Sequence, residues 1–167
     1  MTLNDKIEGK KVDGIISSNH KLIVKNLENP DESKYYVNQY PDTNGVTNIY
    51  ALKEVNKYKG EGVFFRLTYY GNEGNYKDLD TCLAYQEKTF KQKFEDYNLF
   101  GQKVKVDVSR HAIGESSSPE KYKNWIAGYF EKDGKVYDFL YIQYVGIEDS
   151  LGEKLINNVL NNFTTQD

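Results

Sequence analysis

Cysteine, histidine, tryptophan and arginine are nearly missing from this chain of 167 residues, and each scarcity narrows the range of functions. The single Cys82 leaves no intrachain disulfide and no cysteine-based metal site. Zinc sites take three or four His or Cys ligands. Two histidines, His20 and His111, belong to no spaced ligand motif, so neither a metal nor a cofactor is expected. Arg66 and Arg110 are the only arginines, and the lysines are scattered rather than striped. With a net charge of −3, this argues against nucleic acid as a partner. No run approaches the ~18 apolar residues of a spanning helix, so no transmembrane segment is expected. Gly60-Glu-Gly62 and Gly71-Asn-Glu-Gly74 match neither a dinucleotide fingerprint nor a P-loop, and they read as turns. Ser116-Ser117-Ser118 lacks the surroundings of a nucleophile elbow and reads as a solvated loop.

What the chain does have is aromatic residues. Fifteen Tyr and eight Phe supply much of a 38% hydrophobic content, which excludes a disordered chain and favours sheet over helix. The length fits one domain, 1–167, with residues 1–10 polar and frayed. Strands are expected at Val12–Ser17, Lys21–Lys25, Lys34–Tyr40, Val46–Leu52 and Val63–Tyr70, separated by Pro-, Gly- and Asn-bearing turns. A long helix then starts at Asp78 or Asp80 and carries Leu79, Leu83, Phe90, Phe94 and Tyr97 at helical spacing, with Gly101 stopping it. In Lys103–Arg110, Val104, Val106 and Val108 alternate with charges, the pattern of a half-buried antiparallel strand.

The last third organises the rest. Asn124–Glu131 alternates on a period of two, and Lys132-Asp133-Gly134-Lys135 has the chemistry of a type I′ hairpin turn. The return strand, Val136–Val145, is apolar on both faces. Its core side is either Val136, Leu140, Ile142 and Tyr144, or Tyr137, Phe139, Tyr141 and Val145, as for a central strand covered on both sides. Ser150-Leu-Gly-Glu153 has the form of a capping box. Leu151, Leu155, Ile156, Val159, Leu160 and Phe163 follow as one apolar stripe of a closing helix. Grouped helices and hairpin connections predict an α+β fold: an antiparallel β-sheet covered by helices.

From the helix at Leu79 onward, the order of parts resembles the Mog1/PsbP-like domains, which include small lipoprotein domains of Gram-positive bacteria. The parts are that helix, the Gly101-x-x-Val104 element, the hairpin from Ile126 through Gly134 to Ile142, and a helix closing on Leu160-Asn-Asn-Phe163. The likeness covers roughly residues 75–163. Asn162 stands where the family often has Ser, and Tyr40-Pro41 is not followed by the family's Trp. The resemblance implies an α-β-α sandwich with binding or assembly roles rather than turnover.

Two candidate sites emerge from the residues themselves. Cys82 falls in the first turn of the expected helix, where a thiol pKa is lowered, yet its apolar neighbours Leu79 and Leu83 favour a buried core cysteine. Asp78, Asp80 and Glu73 lack the EF-hand pattern and read as helix capping. The tyrosines are the larger surplus. Most serve cross-strand packing, but Tyr35/Tyr36 and Tyr69/Tyr70 are pairs in which one member must face away from the other. These four are the candidate binding residues, suited to a protein or peptide partner, or to a glycan. The expected function is therefore a non-enzymatic binding or assembly domain. The alternatives are a small acidic inhibitor or immunity-type protein and a hydrolase with an unrecognised site. A Lys-, Asn- and Tyr-rich style favours an extracytoplasmic or lipid-anchored surface location, with a cytoplasmic one if Met1 is the native start.

Overall fold

A computed structural model describes residues 62–109 and 121–165 in full, and the backbone of the strands at 12–16, 22–27, 34–39 and 46–52. In chain order the strands are β1 (Val12–Ile16), β2 (Leu22–Leu27), β3 (Lys34–Gln39), β4 (Val46–Leu52) and β5 (Gly62–Thr68). A 3-10 turn (Gly74–Tyr76) precedes α1 (Leu79–Phe90). Then follow β6 (Phe94–Leu99), β7 (Gln102–Asp107), β8 (Tyr122–Lys132), β9 (Lys135–Tyr144), α2 (Asp149–Asn161) and β10 (Phe163–Thr165). The class is α+β. A seven-stranded antiparallel sheet runs β3-β4-β5-β9-β8-β7-β6, and β1-β2-β10 form a separate three-stranded sheet. His20, His111 and Ser116–Ser118 lie outside the described residues.

The β8–β9 hairpin forms as its turn chemistry dictates. Asp133 and Gly134 both adopt positive φ (53° and 75°), and Lys132 pairs with Lys135 across the two-residue loop. β9 is the central strand of the seven. Tyr137, Phe139, Tyr141 and Gln143 are buried on one face, which settles the alternative left open by the sequence. Val145, assigned to that face, lies past the strand end and is 48% exposed.

α2 covers that face. Leu151, Leu155, Ile156, Val159 and Leu160 pack with Phe65, Leu67, Phe130 and Phe139 in one cluster, and burying each such side chain stabilises by about 1.5–3 kcal/mol. The stripe is as expected except at Phe163, which starts β10 rather than ending the helix. The helix end is instead held by Lys132, whose Nζ donates to the Leu160 carbonyl at 2.5 Å, a cation at the negative end of the dipole.

Three further expectations are corrected. α1 stops at Phe90, where Lys91 takes a left-handed φ of 58° and caps it, so Phe94 and Tyr97 are not helical. They belong to β6, which pairs with β7 through the two-residue turn Phe100-Gly101 (φ 50° and 86°). Gly101 therefore closes a hairpin rather than a helix. The capping box is not formed either: α2 begins at Asp149 with Glu148 as its N-cap and no side-chain cap bond. Asp149 is drawn off by Lys123 Nζ (2.7 Å) and Gln143 Nε2 (2.9 Å), which fixes the helix start one residue before Ser150.

Candidate functional site

Tyr35 and Tyr36 lie in β3, opposite Ala51 and Tyr50 of β4. Their side chains are outside the described residues. Tyr69 and Tyr70 follow β5, whose alternation carries on past Thr68 and sends the two rings opposite ways. Tyr69 is fully buried, its ring 5.4 Å from that of Tyr137 in the core under α2. Tyr70 is 38% exposed and stacks on Tyr76 at 4.6 Å. Of that pair, only Tyr70 presents a ring at the surface.

α1 lies on the sheet face that Tyr70 shares. Asp78 starts the helix by accepting from the Thr81 backbone N–H at 2.7 Å, and that bond holds its carboxyl below the ordinary range. Capping thus accounts for Asp78 as expected. No group of three His, Cys, Asp or Glu residues among the described residues is placed to hold a metal. The helix buries Cys82 against Tyr129 and Val136, with Tyr76, Leu79, Leu83 and Phe94 packed around them. Cys82 has no exposure, and burial, seconded by the charge of Asp138, pushes its thiol up to about 12. Its place near a helix start does not outweigh this loss of solvent. At neutral pH Cys82 is a protonated core thiol.

Asp138 is the unusual group on this face. It sits mid-strand in β9, between Thr68 of β5 and Tyr129 of β8. Its one ionic partner among the described residues is Arg66, with Nη2 3.6 Å from Oδ1. That separation is longer than a charge-assisted hydrogen bond. Burial lifts the Asp138 carboxyl from 3.8 to about 6, against the opposing pull of Arg66. Arg66 keeps 35% of its side chain exposed while its buried Nε has no hydrogen-bond partner. Around them stand the hydroxyls of Tyr70, Tyr76 and Tyr129, each pushed up first by burial, so all three are hydrogen-bond donors at neutral pH. The arrangement offers a carboxylate, a guanidinium and phenolic donors at one rim of the sheet.

A groove of about 520 Å³ opens farther along the same sheet, lined by Leu79, Asp96, Tyr97, Asn98, Lys103, Val104 and Lys105. Asp96 and Lys105 pair within it. It is open and of mixed polarity, and it lies on the β6–β7 hairpin, of which the sequence predicts β7 as a strand but β6 as helix.

Sequence reasoning missed Asp138 and Arg66, though a signal was present. Arg66 is the one charged residue of β5, and Asp138 is the one charged residue between Val136 and Tyr144. A lone charge inside an apolar strand is costly unless it is paired. No family model, no curated protein and no solved structure matches this chain.

Proposed function

We propose that this chain is a non-enzymatic binding or assembly domain whose contact surface is the rim formed by Tyr70, Tyr76, Arg66 and Asp138. The observation that carries the reading is Tyr70 itself. Its aromatic ring is exposed, braced by stacking on Tyr76, and backed by a charged pair. Such an amphipathic ring contributes contact area with little loss of conformational freedom, and its hydroxyl supplies direction. A protein or peptide partner suits this surface, and a glycan would stack on the same ring.

The finer fold belongs to the same proposal. Helices on opposite faces of an antiparallel sheet accord with a Mog1/PsbP-like α-β-α sandwich, and with a bacterial surface or lipid-anchored setting for the domain. The test is an affinity capture from envelope and cytosolic fractions, read by mass spectrometry, with the chain and its Tyr70→Ala variant. An envelope partner lost in the variant, with its folding intact, supports the reading. Equal capture by both removes Tyr70 from the contact surface.

A hydrolase remains as a second reading because of one observation, the Asp138 carboxyl held near 6. That value suits a proton donor or acceptor at neutral pH. A hydrolytic activity that disappears in Asp138→Asn but survives Tyr70→Ala would replace the binding reading.

A further inference from the structure

We propose that Asp138 and Arg66 form a proton-operated latch on the α1 face of the sheet: proton uptake by Asp138 releases the Arg66 guanidinium toward solvent beside Tyr70. As a means of regulating binding, the latch rests on the reading given above. As a property of the fold, it stands on the geometry of the pair.

The carboxylate is confined. Its neighbours across the sheet are Thr68 and Tyr129, and the helix side places Cys82 over it. The sole cation beside it among the described residues is Arg66, held at 3.6 Å through Nη2. A carboxylate has about four lone-pair sites, and one long ion pair satisfies few of them. Arg66 is no better served, with Nε buried and unpaired while the rest of its side chain is partly in water. Arg66 is thus under-satisfied while Asp138 keeps 18% of its side chain open to water, and the attraction between opposite charges holds the arrangement together. When a proton neutralises Asp138, that attraction is gone. The guanidinium then gains more from hydration than from its buried place, and its exposed side gives it the route out.

Among the described residues, nothing else facing the pair competes for the proton. From the segment after β5 come Tyr70 and Tyr76, from α1 Cys82, and from β8 Tyr129. The thiol is pushed up to about 12 and the phenols are raised by burial, so all stay neutral through the physiological range. Among the described residues, Asp138 is therefore the group that changes charge there between pH 5 and 7. The rim passes from a neutral ion pair to a net positive surface as the medium acidifies.

The test follows two nuclei in the intact chain between pH 4 and 8: the Asp138 side-chain carboxyl carbon and the Arg66 Nε–H. Both are expected to step at one midpoint near 6. In Asp138→Asn the Arg66 step disappears, its resonance lying at the acid-limit position throughout. An Asp138 midpoint near the ordinary 3.8 would overturn the latch, and so would an Arg66 signal that stays flat while Asp138 titrates. Both measurements use the unmodified chain, so the proposal stays decidable even if the variant folds poorly. A missing Arg66 step combined with partner loss in Tyr70→Ala refutes the latch and leaves the binding reading intact. The reverse pattern refutes the binding reading and keeps the latch.

Discussion

Replacing Gly152 by Ala should destabilise this protein, against the ordinary preference of helices. In an open helix the change is worth about 1 kcal/mol in favour of Ala. Gly152 is buried on the inner side of α2, however, where a Cβ would lie 1.9 Å from the Tyr141 hydroxyl oxygen and 2.9 Å from its Cζ. Phe100 Cε2 closes the other side at 3.2 Å. The far end of a long flexible side chain would move aside, but Tyr141 cannot. It is fully buried, its ring meets Phe100 edge to face, and its hydroxyl donates to Gln143 Oε1 at 3.0 Å. Overpacking of this kind costs about 1–3 kcal/mol, and disturbing the hydroxyl's bond adds about 1 kcal/mol. After the helix gain is subtracted, the net loss is about 2 kcal/mol.

A double-mutant cycle with Tyr141→Phe isolates the contact. Tyr141→Phe alone should cost about 1 kcal/mol, because Gln143 Oε1 still accepts from Asn124 Nδ2. In that background the clash with the hydroxyl is gone, so Gly152→Ala should cost about 1 kcal/mol less than in the unmodified chain, a coupling of the size expected for touching residues. The assay is urea unfolding followed by circular dichroism and by fluorescence of the single tryptophan, Trp125, compared at constant m. A Gly152→Ala chain as stable as the parent, or a cycle that closes additively, would refute the claim that the hydroxyl sets how closely α2 packs.

Two further outcomes follow from the opposite sheet face. Asp138 has a folded value of about 6 against an ordinary 3.8, so between those values the folded chain holds a proton that the unfolded chain has lost. Stability should therefore fall as pH rises from about 4 to about 6, by at most about 3 kcal/mol, and Asp138→Asn should remove that slope; an identical slope in the variant would refute the assignment. Asp149, whose carboxyl is lowered by Lys123 and then Gln143, acts the other way and below 3.8, outside this window. Cys82 should react with a thiol reagent only as fast as the chain opens, with little acceleration between pH 7 and 9, because opening of the fully buried site and not ionisation of the thiol limits the rate; rapid stoichiometric labelling of folded protein would show that α1 does not seal it.

The parts of the fold legible in the sequence were those set by local rules. Asp133-Gly134 forms the expected turn because few other pairs accept positive φ twice in succession. The Leu151–Leu160 stripe docks because its spacing leaves one continuous apolar side. β6 was illegible for a specific reason. Phe90, Phe94 and Tyr97 keep helical spacing, and a helix would have put Phe94 and Tyr97 on one side. In the strand they fall on opposite sides instead: Phe94 meets Tyr129 under α1, and Tyr97 packs against the core under α2. Both patterns partly bury Phe94 and Tyr97, while Phe90 at the end of α1 is 59% exposed, and only pairing with β7 decides between them. The start of α2 was misread for a similar reason, since a tertiary contact to Asp149 overrode a local capping signal. Tyr70 stood out as half of a tyrosine pair. Asp138 did not, because its character comes from neighbours on β5, β8 and α1 that lie far from it in sequence.

Synthesis from the N-terminus confronts β5 with a delay. β4 and β5 pair across a short connection, but the other edge of β5 waits for β9, with Thr68 meeting Asp138 about 70 residues later. Until then Val63, Phe65 and Leu67 have no central strand beside them and no α2 above them. The growing chain therefore carries an apolar, open-edged meander while the ribosome makes the remaining half. Pairings so distant in sequence slow folding, and exposed edges of this kind recruit other chains. The β8–β9 hairpin, quick to close on its own turn, ends this exposure when it docks against β5. A mutation that weakens the Asp133-Gly134 turn would then be felt first as poor yield of soluble protein during synthesis, before any loss in the stability of the finished fold.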